Sequence, residues 1–66
     1  MITEQFIIDH LGHWYYDKEL DIYYQILTVR DGVVAYWSQY GTYPTATPLE
    51  GVLEDEYIGE DESWIS

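Results

Sequence analysis

Ile22-Tyr23-Tyr24-Gln25-Ile26-Leu27-Thr28-Val29-Arg30, Asp31-Gly32, and Val33-Val34-Ala35-Tyr36-Trp37-Ser38-Gln39-Tyr40 follow one another in the middle of the chain. Both long runs are rich in β-branched and aromatic residues, which suit a pleated surface. Asp-Gly between them suits a two-residue type I′ turn, where both central residues take positive φ. The stretch therefore predicts a β-hairpin. Such a turn sets the pairing: Arg30 opposite Val33, Leu27 opposite Tyr36, and Ile26 opposite Trp37. Alternation then puts Ile22, Tyr24, Ile26, Val33, Ala35 and Trp37 on one face. Tyr23, Leu27, Val29, Val34, Tyr36 and Tyr40 fall on the other. Both faces are largely apolar or aromatic, so the hairpin is either covered twice or offers one side to a partner.

Working outward, His13-Trp14-Tyr15-Tyr16-Asp17 reads as a further strand that turns through Lys18-Glu19. Before it, Ile2 to Gly12 reads as a short helix. Thr3 is placed as its N-cap, Glu4 favours the first turn, and Ile2 with Ile7 forms a hydrophobic staple. Ile7, Leu11 and Trp14 keep helical spacing, and Gly12 is a natural stop. The rival is a strand, since Phe6-Ile7-Ile8 has strong β preference. After the hairpin, Gly41 to Thr47 reads as a loop, because Pro44 is unsuited to a central strand. Thr47-Pro48-Leu49-Glu50 has the form of a capping box with Pro at the first helical position. Leu49, Val52, Leu53 and Tyr57 continue at helical spacing, with Gly59 as C-cap. Gly51 and the crowded acids Glu50, Glu54, Asp55 and Glu56 oppose a long helix. A single helical turn followed by a strand over Val52 to Ile58 is the competing reading. Glu60 to Ser66 reads as a loosely held acidic tail, unless Trp64 and Ile65 dock.

These elements predict one domain over residues 1–66. It is mainly β, a small antiparallel sheet or barrel built on the hairpin, with a short N-terminal helix. The alternative is an α+β fold with a second helix over residues 48–58. Val34-Ala35-Tyr36, Tyr40-Gly41, Pro48-Leu49-Glu50 and Leu53-Glu54 resemble the second half of a small uncharacterised bacterial domain family. The resemblance spans Val34 to Glu54. It implies an SH3-like β-barrel, includes no catalytic residue and carries no function.

Thirteen Asp and Glu face only Lys18 and Arg30, a formal net charge of -11 over 66 residues. A folded chain of this mass exposes on the order of 4,400 Å², or about one uncompensated charge per 400 Å². Such a surface repels nucleic acid and anionic membrane and attracts basic partners. A disordered acidic tail is excluded, because 47% of the residues are hydrophobic and 18% aromatic. Five acids lie between Glu4 and Asp21, and seven between Glu50 and Glu62; only Asp31 interrupts the span from Ile22 to Leu49. Carboxylates on alternate strand positions stand roughly 6.6 Å apart. Duplex phosphates recur about every 3.4 Å of axis on each strand, so rows of carboxylates can imitate a phosphate lattice.

The remaining chemistry is sparse. There is no Cys, which removes disulfides and thiolate metal sites. Asp17, Glu19 and Asp21 alternate like the opening ligands of a calcium loop, but Ile22 stands at its Gly and Thr28 at its final Glu. His10 and His13 could share a helical face, yet two His alone are a thin zinc set. Ser38, Ser63 and Ser66 have no neighbouring His in sequence, and no phosphate-cradling Gly loop is present. No catalytic residue, metal or cofactor is assigned. The N-terminus lacks the basic start of a signal peptide and no apolar run is long enough to span a bilayer, so a cytoplasmic protein is expected.

The expected function is that of a small acidic protein-binding protein. Its partner would be the basic surface of a nucleic-acid-binding protein, blocked by imitation of nucleic-acid charge, with no direct contact to nucleic acid or membrane. Asp17, Glu19, Asp21, Glu50, Glu54, Asp55, Glu56, Glu60, Asp61 and Glu62 would supply the charge. Tyr36, Trp37 and Tyr40 would supply desolvated contact. The alternative is a structural or regulatory subunit that binds, or forms a homodimer, through an aromatic hairpin face.

Overall fold

A computed structural model describes residues 2–61. Glu62 and the docking of Trp64 and Ile65 lie outside the described residues. The elements are α1 (Glu4–Asp9), β1 (Trp14–Asp17), β2 (Ile22–Arg30), β3 (Val33–Ser38), β4 (Thr45–Pro48), α2 (Leu49–Val52) and β5 (Glu56–Gly59). The strands form one sheet in the order β4-β3-β2-β1-β5, and every neighbouring pair is antiparallel. The protein is mainly β, with two short helices.

The hairpin turn has its expected form. Asp31 and Gly32 take φ of 52° and 76°, and Arg30 pairs with Val33. Beyond Thr28 the expected register fails. Ile26, not Leu27, pairs with Tyr36, and Gln25 pairs with Trp37, because the ladder shifts between Ile26 and Thr28. Leu27 is the extra residue of a β-bulge. A bulge reverses the alternation of one strand against the other. In an unbroken register, Tyr24 and Ile26 would lie on the opposite face from Val34 and Tyr36. The bulge brings Tyr24, Ile26, Val29, Val34 and Tyr36 to one side, where Tyr24, Ile26 and Val34 are buried and the other two pack against them. The helix-covered face thus carries the main core, and on the opposite face Trp14 is also buried.

That face is covered by both helices. Ile7 of α1 and Val52 of α2 join Tyr15, Tyr24, Ile26 and Val34 in the core, with Ile2, Phe6, Leu49 and Leu53 packed around it. Thr3 caps α1 as the sequence predicts, its Oγ1 accepting from the Phe6 N–H at 3.1 Å. Ile2 and Ile7 take the staple positions. The helix stops at Asp9, short of Gly12, so Leu11 is exposed and Trp14 belongs to β1. Gly12 takes φ of 86° and sends its N–H to the Ile26 carbonyl at 2.6 Å, feeding the chain into β1 beside β2. Trp14, Tyr16, Tyr23, Gln25 and Trp37 occupy the opposite face of the sheet, as cross-strand partners.

The C-terminal half departs most from expectation. Thr45–Pro48 is not loop but strand β4, paired through Val33↔Pro48, Val34↔Thr47, Ala35↔Ala46 and Tyr36↔Thr45. The objection to Pro holds for a central strand; β4 is an edge. Thr47 is therefore committed to the ladder and caps nothing. Pro48 is extended at φ -61°, ψ 140°, and α2 has no side-chain cap. In place of a helix over residues 48–58 there is one turn, Leu49–Val52, followed by strand β5, which is the competing reading with the strand starting later, at Glu56. Like-charge crowding at Glu54, Asp55 and Glu56 and the flexibility of Gly51 oppose its extension. Gly59 ends no helix and lies in β5 opposite Trp14.

Tyr15 is fully buried between α1 and β5, and its hydroxyl has no hydrogen-bond partner among the described residues. Burial, and then the nearby Tyr57, push its phenol up to about 12. An unpartnered buried hydroxyl costs on the order of 1–3 kcal/mol. Tyr15→Phe should therefore stabilise the fold by about 1 kcal/mol, read as a higher urea midpoint at unchanged slope. A lower midpoint would show that the hydroxyl is satisfied.

Candidate functional site

Local sequence builds two acidic corners. At the end of β1, the Asp17 carboxylate accepts the backbone N–H groups of Glu19 at 2.9 Å and Leu20 at 3.3 Å. This folds the β1–β2 connection back on itself, with Asp21 at φ 55° before Ile22 enters β2. After α2, the Asp55 N–H returns to the Val52 carbonyl at 3.0 Å and holds the following turn close to the helix.

The two corners face each other across a groove of about 560 Å³. Asp17, Lys18, Glu19 and Leu20 line it from the β1–β2 turn, and Gly51, Val52, Glu54 and Asp55 from the α2 side. Ile22, Tyr24, Tyr36 and Thr47 form the sheet between them. Four carboxylates thus converge on a partly apolar recess with one ammonium group among them. The rings of Tyr24 and Tyr36 meet edge to face, centroids 5.3 Å apart.

One hydrogen bond ties the acidic corner to the core. The Tyr24 hydroxyl donates to Asp55 Oδ2 at 2.5 Å. Burial, and then the bond to Asp55, push the Tyr24 phenol far above its ordinary value. The Asp55 carboxyl is also raised. Burial is the main cause, Tyr24 opposes it by stabilising the anion, and Asp17, Glu19 and Glu54 raise it further. These three neighbours act on Asp55 because the fold gathers them around one recess.

The other sequence-predicted acids lie elsewhere. Asp21 accepts the Tyr16 hydroxyl at 2.6 Å, which pushes that exposed phenol up to about 12. Glu50 is exposed on α2, Glu56 pairs with Tyr16 on β5, and Glu60 and Asp61 follow β5. None of these five lines the groove. Tyr36, Trp37 and Tyr40 do not form one patch. Tyr36 lines the groove, and Trp37 points from the opposite face, its indole N–H donating to the Gly41 carbonyl at 3.1 Å. Tyr40 stands 74% exposed beyond β3. Leu20, Ile22, Tyr24, Thr47, Gly51 and Val52 were not legible as site residues, because the bulge leaves no local signature and the α2 turn, though readable from Pro48-Leu49-Glu50, does not announce which strands it faces.

The two histidines share no helical face, since α1 ends at Asp9 and His10 is its C-cap. Their rings lie 5.3 Å apart, centroid to centroid. His10 Nδ1 donates to the Phe6 carbonyl at 2.6 Å, and His13 Nδ1 contacts the Tyr57 hydroxyl at 2.7 Å. Phe6 stacks on His10 and Tyr57 on His13, while His10 meets Tyr57 edge-on, which is packing between α1 and β5. Among the described residues, no three His, Cys, Asp or Glu group to hold a metal ion, and no helix is long and apolar enough to cross a membrane. No family model, curated protein or solved structure matches the chain.

Because the Asp55 carboxyl is raised, the folded chain holds its proton more tightly than the unfolded chain does. That contribution to stability is fully present below the unfolded value and is lost as pH rises through the raised one. Acidification from about pH 7 to pH 4 should therefore stabilise the fold. Asp55→Asn, which keeps an acceptor for Tyr24, should flatten that rise in thermal melts; an equally steep rise would assign it to other carboxylates. Tyr24→Phe should cost about 1–2 kcal/mol and move the Asp55 midpoint, followed by carboxyl NMR, further up.

Proposed function

We propose that the protein binds, without catalysis, the basic surface of a nucleic-acid-binding protein and blocks it. The observation that carries this reading is the convergence of Asp17, Glu19, Glu54 and Asp55, from two distant segments, on one groove with an apolar floor. Gathering like charges is unfavourable on its own, and a basic partner reverses the sign of that term. The remaining acids of a chain at -11 lend long-range attraction. Charge mimicry is then a matter of a clustered acidic mouth more than of an extended phosphate-like row.

A second reading keeps the acids as surface and uses the aromatics. Trp37, Tyr40 and Tyr43 are exposed at 39%, 74% and 70% around the β3–β4 connection. Exposed Tyr and Trp are favoured anchors of protein interfaces, so a regulatory subunit would dock there.

Capture of lysate proteins on the immobilised chain, eluted by salt and challenged with duplex DNA or RNA, separates the two. Displacement of nucleic-acid-binding proteins by duplex supports the first reading. The double variant Glu19→Lys/Glu54→Lys, at exposed positions, should weaken such binding at least tenfold and flatten its salt dependence. Unchanged binding in that variant, with association abolished by Trp37→Ala, would sink the acidic reading and favour the aromatic one.

A further inference from the structure

We propose that the groove between the β1–β2 turn and α2 is a seat for an arginine side chain, presented on an extended segment of the partner. This deepens the preceding reading and rests on it. The groove combines three things that a guanidinium uses together. Tyr36, half-buried, lines it with an aromatic ring, held edge-on by Tyr24. Leu20, Ile22 and Val52 supply apolar surface for the methylene stem. Asp17, Glu19, Glu54 and Asp55 surround it with carboxylate oxygens. Of the Asp55 carboxylate, Oδ2 accepts from the Tyr24 hydroxyl, leaving Oδ1 for a second donor.

Arginine fits better than lysine for physical reasons. A guanidinium is planar, stacks on aromatic rings, donates to two carboxylates at once and is less strongly hydrated than an ammonium. A half-buried recess penalises the more hydrated ion. The volume of about 560 Å³ exceeds a single side chain, so the neighbouring backbone of an extended segment enters as well. Lys18, on the exposed rim, is the protein's own cation at this site and the natural competitor. A seated guanidinium would also favour the ionised form of Asp55, whose carboxyl burial and the neighbouring acids hold above its ordinary value.

The test uses the full chain and three capped pentapeptides, Gly-Gly-Arg-Gly-Gly, its Lys analogue and its norleucine analogue, followed by amide NMR. The Arg peptide should shift Leu20, Ile22, Tyr36 and Asp55 at millimolar concentration, with the Lys peptide weaker by about fivefold and norleucine silent. Tyr36→Leu should weaken the Arg peptide about fivefold, and Glu54→Gln, at an exposed position that leaves the core intact, about threefold. Equal binding of Arg and Lys peptides, or shifts spread over Glu50, Glu60 and Asp61 alike, would overturn the arginine seat while leaving the basic-partner reading standing. If the seat binds but no basic protein is displaced by duplex, the partner assignment falls and the seat remains.

Discussion

The β-bulge at Leu27 is the constraint on which the rest of the molecule depends. A two-residue turn at Asp31-Gly32 would pair β2 and β3 in strict alternation and divide their large apolar side chains between two faces. A 66-residue chain without disulfides gains most when its large apolar side chains gather in one core. One extra residue in β2 changes the phase of its first half. Tyr24 and Ile26 then join Val29, Val34 and Tyr36 on the side that α1 and α2 cover. Each large side chain so buried contributes about 1.5–3 kcal/mol. A divided set would forfeit much of that contribution. The same phase change sets Tyr24 and Ile26 on the face of Tyr36 and away from that of Trp37, and so brings Tyr24 and Tyr36 together in the groove.

Electrostatics follows from that packing. The sheet brings Tyr24 to the point where α2 ends, so its hydroxyl meets Asp55. A tyrosine donor is the cheapest way to hold a half-buried carboxylate where positive residues are scarce. Lys18 and Arg30 are the only basic side chains besides the two histidines. The Asx-type turn at Asp17 fixes the opposite corner through backbone N–H donors, again without a cation. Negative charge is therefore positioned by hydrogen bonds at those corners, and among the described residues Lys18 is the one basic side chain lining the groove, which is the physical basis of affinity for an external cation.

Aromatic contact ties the two ends of the described chain together. Phe6 stacks on His10 with centroids 4.0 Å apart and meets Tyr57 edge-on at 5.0 Å. Tyr57 in turn packs against Tyr15 at 5.5 Å. The Ile2 N–H reaches the Leu53 carbonyl at 3.2 Å beside them. Stacking and edge contacts of this kind add on the order of 0.5–1.5 kcal/mol each beyond area burial. They hold α1 and β5 against β1, so the edge strand that follows the acidic turn is anchored and Glu54-Asp55 cannot drift from Asp17 and Glu19.

What the sequence determined by itself was local. Asp31-Gly32 specified the hairpin turn, because few residue pairs accept two positive φ angles in succession. Thr3 specified the start of α1, because its hydroxyl serves an N–H three residues away. The mainly β class followed from the side chains of residues 22–40, and the strongly negative field from composition. The tertiary structure decided everything that needed two distant segments. Thr47 reads locally as a helix cap but is taken by the ladder to Val34, since a strand partner satisfies its backbone more fully than one short helical turn. The Leu27 bulge has no turn residue to announce it; it exists because the core on one side demands it. The groove is likewise silent in the sequence, since Asp17 and Asp55 become neighbours only when Tyr24, between them in the chain, is buried on the face that α2 closes.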